Sequence, residues 1–233
     1  KLMADKEAFL RIVFETNQQT KWAPKGHQVT FAEFKLGGSY AEKLLVPESA
    51  PQVTETDRQV AVSAENGVKI LFDRKSGRPV SIKAAGNELL TKSPRGYLFD
   101  HTTAWTDNDK HTTKGLHLKK YIELDLDGLA RVGDAELSVS QKGEHAIITI
   151  KNRFMSPKDA GFEETQIWGI DGAGRMNVSV SVTPTGQLTP DVWIPRIGLR
   201  IPLSPELNQL SYYGLGPHGN YVDRKESVWM GVH

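Results

Sequence analysis

Residues 176–183 read Met-Asn-Val-Ser-Val-Ser-Val-Thr, with apolar side chains at the even positions and polar side chains at the odd positions. Successive side chains of a β-strand point to opposite faces of the sheet, so this pattern predicts a strand with one buried and one wet face. The same alternation recurs at residues 122–126 and 137–139. We therefore predict a protein built from β-strands, without a long amphipathic helix.

Turn residues separate the predicted strands at short intervals. Asn66-Gly67, a pair favoured in tight hairpins, lies between the strand-like residues 60–62 and 68–72. Lys142-Gly143-Glu144 and Asp171-Gly172-Ala173-Gly174 stand between later strand-like runs in the same way. Strands at this spacing predict an all-β fold in which antiparallel sheets form a sandwich.

Length and composition restrict the class of protein further. A chain of 233 residues suits one large β domain, or one domain with part of another. The net charge is +1 and the basic residues form no stripe, so no nucleic acid is expected as a partner. No apolar run approaches the roughly 20 residues that span a bilayer, so no membrane is expected either. The absence of cysteine excludes disulfides, thiolate nucleophiles and cysteine-based zinc sites.

A boundary is predicted early in the chain. Gly37-Gly38 follows a strand-like run, and residues 45–51, Leu-Val-Pro-Glu-Ser-Ala-Pro, resemble an extended linker because proline biases the preceding residue away from helix. We predict the tail of one β domain at 1–37, a linker at 38–57 and a larger, truncated β-sandwich at 58–233. Both ends of the chain are strand-like, and we expect a fragment with open strand edges.

One acidic pair is a poor candidate for catalysis. Glycoside hydrolysis uses two carboxylates about 5–9 Å apart on either side of one sugar. Glu163 and Glu164 are neighbours on a predicted strand, so their side chains point to opposite faces and cannot act on one substrate. The sequence favours a solvated strand start for this pair.

A second acidic group is better placed to bind a sugar. In an extended Asp107-Asn108-Asp109 segment the two carboxylates share a face, and Trp105 and His111 flank them. An indole ring can stack on the apolar side of a sugar. We therefore predict carbohydrate-binding residues at Trp105, Asp107, Asn108, Asp109 and His111. The alternative, which the residue types favour, is a turn in which Asp and Asn bond their own backbone.

Other catalytic and metal-binding patterns are missing from the sequence. His101, His111 and His117 show no HExxH arrangement, and residues 107–112 lack the pattern of an EF-hand loop. No Gly-x-Ser-x-Gly elbow or nucleotide-binding glycine motif occurs. We assign no catalytic residue, no metal ligand and no cofactor to this chain.

Residues 212–224 carry the most specific motif, Tyr-Tyr-Gly-Leu-Gly-Pro-His-Gly-Asn-Tyr-Val-Asp-Arg. It resembles the GxGPxENYxDR signature in the C-terminal domain of the large β-galactosidases of glycoside hydrolase family 2. Four further stretches resemble segments of that family in the same order, at residues 20–27, 72–77, 106–109 and 195–198. Two departures stand out: Gly219 replaces the glutamate of the signature, and the Arg-Ala-Pro of the family is absent before Thr106.

The resemblance implies a domain architecture, and it implies that the catalytic residues lie in a different domain. It implies a large β-sandwich of the galactose-mutarotase-like type (a supersandwich), preceded by part of an immunoglobulin-like domain. The catalytic glutamates would lie in a (β/α)8 barrel upstream of Lys1, and the Mg²⁺ and Na⁺ of the family would be bound mainly there. The implied partners are a β-galactoside or other carbohydrate and the catalytic barrel, with a homo-oligomer possible.

The resemblance also implies a structural role for the signature segment. The motif residues are Gly214, Gly216, Pro217, Asn220, Tyr221, Asp223 and Arg224. We expect a rigid loop in which the two glycines permit positive φ or a close approach of the backbone. Tyr221 is expected to be packed, and Arg224 to donate to buried acceptors.

Two other functions stay open on the sequence alone. A free-standing carbohydrate-binding module would use the aromatic and acidic loop around residues 105–111. An aldose epimerase-like enzyme is suggested by analogy of fold only, and fold does not fix function.

Overall fold

The computed structural model describes residues 6–38, 49–91, 98–105, 107–111, 116–221 and 224–233. Antiparallel strands dominate it, and the predicted all-β fold is confirmed. The strands are β1 (Ala8–Glu15), β2 (Gln28–Gly37), β3 (Gln52–Glu55), β4 (Gln59–Ser63), β5 (Lys69–Asp73), β6 (Arg78–Ala84), β7 (Asn87–Glu88), β8 (Leu98–Asp100), β9 (Ala130–Arg131), β10 (Glu136–Lys142), β11 (His145–Met155), β12 (Ala160–Asp171), β13 (Met176–Gly186), β14 (Gly198–Arg200), β15 (Tyr213–Gly216) and β16 (Trp229–Val232). The helical elements are α1 (Asp107–His111), α2 (Leu116–Glu123) and a 3-10 turn at Leu126–Gly128.

The chain divides into two compact units, one of residues 1–45 with 208–233 and one of residues 46–207. Strand β3 lies within the range predicted as a linker and pairs with β4. The predicted boundaries at residues 37 and 57 stay a prediction. No helix among the described residues is long and apolar enough to cross a membrane.

The larger unit is a sandwich of two antiparallel sheets. One sheet has the order β3-β4-β5-β6-β7, and the other has the order β10-β11-β12-β13 with β9 beside β11. Phe72 from the first sheet meets Trp168 from the second edge to face, with ring centroids 5.4 Å apart. Both side chains are fully buried, as are Ile70, Ile148 and Ile150 around them. Burial of each such side chain stabilises the fold by roughly 2 kcal/mol.

The hairpin at residues 72–77 joins β5 to β6 and packs closely against the second sheet. Asp73 Oδ2 accepts hydrogen bonds from the Ser76 amide at 2.7 Å and the Ser76 hydroxyl at 2.6 Å, which closes the turn. Gly77 has φ +61°, and a Cβ on it would lie 2.6 Å from both Ala135 and Ile150. A larger residue therefore meets both a backbone penalty and a steric one here.

The alternation at residues 176–183 correctly predicts strand β13, but its burial differs from expectation. Met176 and Val178 pair with Ile170 and Trp168, so they lie on the core side of the sheet, yet they are 41% and 36% exposed. The reason is their position, since β13 is the last strand in the described sheet order. An edge strand has a neighbour on one side only.

The strand predicted at residues 122–126 is wrong. The segment forms the end of α2 and the start of the 3-10 turn. Tyr121 and Leu126 are fully buried, whereas Ile122 is 62% exposed, so the buried positions do not alternate. Three apolar residues two apart matched the strand pattern by coincidence, in a segment too short to separate the two periods.

The smaller unit contains the antiparallel pairs β1-β2 and β15-β16. Phe31 of β2 contacts Trp229 of β16 edge to face at 5.5 Å, and Glu33 accepts a hydrogen bond from the Met230 amide at 2.9 Å. The opposite face of β1-β2 is apolar and open, with Leu10, Ile12, Phe14 and Phe34 each at least 44% exposed.

Candidate functional site

A second buried cluster of the larger unit holds the segment that leads to Trp105. Phe99 packs between Phe154 and Phe162, and its ring stacks on His101 at 5.6 Å. His101 Nε2 lies 2.7 Å from the Leu126 carbonyl oxygen, which requires the proton on that nitrogen. His101 is thus a structural residue that ties this segment to the 3-10 turn.

Trp105 is fixed by a neighbouring aromatic ring. Its ring meets Tyr121 of α2 edge to face, with centroids 4.8 Å apart, and lies 6.1 Å from the ring of Trp193. The Tyr121 hydroxyl donates to Asp127 Oδ1 at 3.2 Å. Burial raises the pKa of Tyr121 far above its ordinary value, so the phenol keeps the proton that it donates.

Two ion pairs and a hydrogen bond hold residues 100–102, which lead to Trp105. Arg196 Nε and Arg200 Nη2 each lie 3.3 Å from a carboxylate oxygen of Asp100. Arg196 also donates to the Thr102 carbonyl, at 2.8 Å from Nη2. The stretch at 195–198 thereby anchors the chain just before Trp105, and β14 pairs with β8 beside it.

The acidic residues after Trp105 lie on a short helix, which corrects the prediction of an extended segment. Asp107 begins α1 and is exposed, whereas Asp109 is half-buried. Residues two apart on a helix are about 200° apart around its axis, so the two carboxylates do not share a face. The backbones of Asn108 and His111 belong to α1, but their side chains, like Thr106 as a whole, lie outside the described residues.

The pair Glu163-Glu164 behaves as predicted in one respect and not in another. The side chains point to opposite faces of β12, as the strand period requires. Glu163 is exposed, but Glu164 is only 2% exposed, so the expected solvated strand start is wrong for Glu164. It belongs to the face that packs into the sandwich.

The signature segment of residues 212–224 lies in the smaller unit. Neither Gly214 nor Gly216 has a positive φ, but a Cβ on Gly216 would come within 2.3 Å of the Tyr212 hydroxyl and 2.7 Å of the His233 ring. Pro217, Asn220 and Arg224 are exposed. Tyr221 is 36% exposed, so the expectation that it is packed is wrong. Asp223 lies outside the described residues.

Trp193 and Tyr121 are the members of this site that the sequence did not reveal. Trp193 stands two residues before the Pro195-Arg196 motif, and this proximity to a motif was the only signal for it. Tyr121 was hidden because its segment resembled a strand. Among the described residues, no group of three or more His, Asp or Glu side chains is arranged to hold a metal ion.

Together these features define an antiparallel β-sandwich protein with a fixed aromatic cluster, and an exposed carboxylate, Asp107, two residues after Trp105. A family model described as the β-galactosidase small chain matches residues 64–233. The chain belongs to this family.

Curated relatives agree with the family assignment. The β-galactosidase of Lactobacillus delbrueckii subsp. bulgaricus is 29% identical over 97% of this chain and 21% of its own length. Those of Clostridium acetobutylicum and Photobacterium profundum are 24% and 27% identical over 93% and 92% of this chain. The chain spans 21–23% of the length of these three relatives.

Proposed function

We propose that this chain is a non-catalytic portion of a β-galactosidase that hydrolyses terminal β-D-galactosides. Its role is to contribute to carbohydrate binding, to the wall of the sugar pocket and to contacts with the catalytic region. The family match and the small share of each relative that the chain covers support this assignment. On this proposal the catalytic carboxylates, and any Mg²⁺ or Na⁺, belong to other parts of the enzyme.

The observation that carries the carbohydrate role is the aromatic cluster next to α1. Trp105 packs edge to face with Tyr121 and lies close to Trp193, while the exposed Asp107 follows two residues later. Sugars are recognised by stacking of a ring face on an indole and by hydrogen bonds from hydroxyls to carboxylates. We assign Trp105, Asp107 and Asp109 to that role, with Asn108 and His111 as further members of α1.

Two assays test the proposal. The 233-residue chain alone should not hydrolyse an aryl β-galactoside, because neither of the acidic pairs considered above, at 163–164 and at 107–109, points two carboxylates to one face. In the complete enzyme, Trp105→Ala should raise KM for the galactoside more than it lowers kcat, since a pocket wall binds substrate and takes no part in bond cleavage. Trp105 is half-buried, whereas Trp22 in the smaller unit is 67% exposed, so Trp22→Ala is the control for loss of a tryptophan outside the cluster.

The opposite results are equally clear. Turnover by the purified chain that disappears in Asp107→Asn would place a catalytic carboxylate on this chain. Equal kinetics for Trp105→Ala and wild type would remove the aromatic cluster from the pocket wall.

A free-standing carbohydrate-binding module is the second candidate, and the same aromatic cluster favours it. The two functions differ in what the chain does alone. A module should bind galactose or lactose without the catalytic region, and Trp105→Ala should abolish that binding. A galactose mutarotation assay addresses the epimerase alternative, for which we identify no acid and base pair in the part of the chain that the structure describes.

A further inference from the structure

Two buried oxygen atoms of the larger unit have no hydrogen-bond donor among the described residues. They are Asn152 Oδ1 and Glu164 Oε1, on side chains that are 9% and 2% exposed. Buried polar atoms are paired in most native proteins, and leaving one unpaired costs about 1–3 kcal/mol. Two such atoms at the same place require an explanation.

The two residues face each other across neighbouring strands. Asn152 of β11 is directly opposite Glu164 of β12, and Asn152 Nδ2 donates to Glu164 Oε2 at 3.0 Å. The unpaired oxygens are therefore the second heteroatoms of an amide and a carboxyl group that already share one hydrogen bond. Both unpaired atoms are acceptors when the carboxyl group is ionised.

The side-chain amide of Gln166, two residues after Glu164, is oriented by a contact with Trp168. Gln166 Oε1 accepts the indole N–H of Trp168 at 3.0 Å, so its amide nitrogen is the end left to donate. Gln166 hydrogen-bonds Glu164, in addition to the bond from Asn152. The carboxyl group of Glu164 thus has donors from Asn152 and Gln166. Its Oε1 atom and Asn152 Oδ1 still have no donor in the described part of the chain.

We propose that Glu164 is protonated on Oε1 in the folded protein and donates this proton to Asn152 Oδ1. A neutral carboxyl group has one O–H donor in addition to its acceptor oxygen. The added bond and the existing Asn152 Nδ2 bond would together close a ring between the acid and the amide. A single proton then satisfies both unpaired oxygens, and no buried charge remains.

Burial, and not the surrounding charge, is what favours a neutral Glu164. Burial raises the pKa of Glu164, while the hydrogen bonds from Asn152 and Gln166 and the charge of Arg78 act in the opposite direction. A cleft of about 410 Å³ beside the pair is lined by three further acidic residues and two basic ones. These are Asp134, Glu136, Lys151, Arg153 and Glu163.

The proposal fixes the sign of a pH effect. A group whose pKa is raised on folding contributes stability below its ordinary pKa, here 4.5, and loses that contribution as pH rises through the raised value. Glu164→Gln keeps the shape, offers an N–H to Asn152 Oδ1 and does not titrate. Between the two pKa values, the unfolding equilibrium constant of wild type relative to Glu164→Gln should rise about tenfold per pH unit.

The test is denaturant unfolding of the 233-residue chain over a range of pH, with Glu163→Gln as the matched control. Glu163 is adjacent in sequence but exposed, so its variant should follow wild type at every pH. Infrared spectroscopy should also show the carbonyl band of a protonated carboxylic acid in folded wild type and not in Glu164→Gln. Should Glu164→Gln fail to fold, proton uptake on folding can be measured directly, and between the two pKa values wild type and Glu163→Gln should each take up about one proton, because both keep Glu164.

Parallel pH profiles for wild type and Glu164→Gln, or no protonated carboxyl band, would overturn the proposal. So would stabilisation of wild type, but not of Glu164→Gln, by added Na⁺ or K⁺ at constant ionic strength. That result would identify a cation, reaching the pair from the cleft, as the missing partner of the two oxygens.

Discussion

The guanidinium carbon of Arg11 lies 4.6 Å from the centroid of the Trp229 ring, although the two residues are far apart in the sequence. The same guanidinium pairs with Glu33 at 2.8 Å and donates to the Met230 carbonyl at 3.4 Å. Arg11 therefore connects β1, β2 and β16 within the smaller unit. This contact explains why residues 229–232 group with the first strands of the chain.

Replacing Arg11 by alanine should lower the free energy of unfolding by about 1 kcal/mol, because a partly exposed cation–π contact and an ion pair are lost together. Arg11→Lys should recover only part of this loss, since an ammonium lacks the planar fork. Urea unfolding followed by tryptophan fluorescence measures both. Lys25→Ala, at an exposed site, is the control, and an Arg11→Ala variant as stable as this control would contradict the assigned role.

Two glycines of β12 should respond very differently to alanine. A Cβ on Gly161 would lie 1.9 Å from the Phe154 carbonyl oxygen, whereas a Cβ on Gly169 would meet Ile147 at an ordinary 3.6 Å. Gly161→Ala should therefore destabilise the chain by about 3 kcal/mol, because the backbone of β11 has to move. Gly169→Ala should change stability by less than about 1 kcal/mol. Chemical denaturation compares them, and similar losses for both would show that the close approach at Gly161 is absent.

The turn between β12 and β13 depends on one buried carboxylate. Asp171 Oδ1 accepts the amides of Ala173 and Arg175 at 3.0 Å each, and Oδ2 pairs with Arg175 Nε at 2.6 Å. Burial acts to raise the pKa of Asp171, but the bonds and charge of Arg175 outweigh it and hold the pKa below 3.8. Asp171→Asn should cost about 2 kcal/mol at neutral pH.

The pH dependence of this variant follows from the direction of the shift. A carboxylate with a lowered pKa stabilises the fold above the pKa of the unfolded chain and loses that effect as pH falls through the folded value. Thermal unfolding of wild type and Asp171→Asn should therefore converge at pH values well below 3.8. Asp57→Asn, at an exposed site, is the control. If wild type stays more stable than Asp171→Asn in acid, the charge of Asp171 is not the cause of the stability difference.

The open apolar face of β1-β2 should make the isolated chain associate. Large exposed apolar patches mark surfaces that bind other protein surfaces. Phe14→Glu combined with Phe34→Glu places charges on residues that are 59% and 52% exposed, and should reduce concentration-dependent association with little change in stability. Analytical ultracentrifugation measures this, with Val80→Glu in the larger unit as the control. A wild-type chain that stays monomeric at high concentration would refute the prediction.

Local patterns in the sequence predicted the strands and turns of the sandwich. The hairpin at Asn66-Gly67 and strand β13 follow from alternation and turn residues, which depend on neighbours along the chain. The collinear motifs, from residues 20–27 to residues 212–224, pointed to the β-galactosidase family, and the family model matches residues 64–233. These features are encoded within a few residues, so no knowledge of distant contacts was needed.

Burial and side-chain partners were decided by the tertiary structure alone. The sequence could not distinguish Glu163 from Glu164, because which face of β12 packs inward depends on the opposite sheet. The short helix at Asp107 and the burial of Tyr121 depend on a cluster formed by segments far apart in the chain. The facing of Asn152 and Glu164 is likewise a matter of strand register, and register is fixed only when two strands pair and one face is buried.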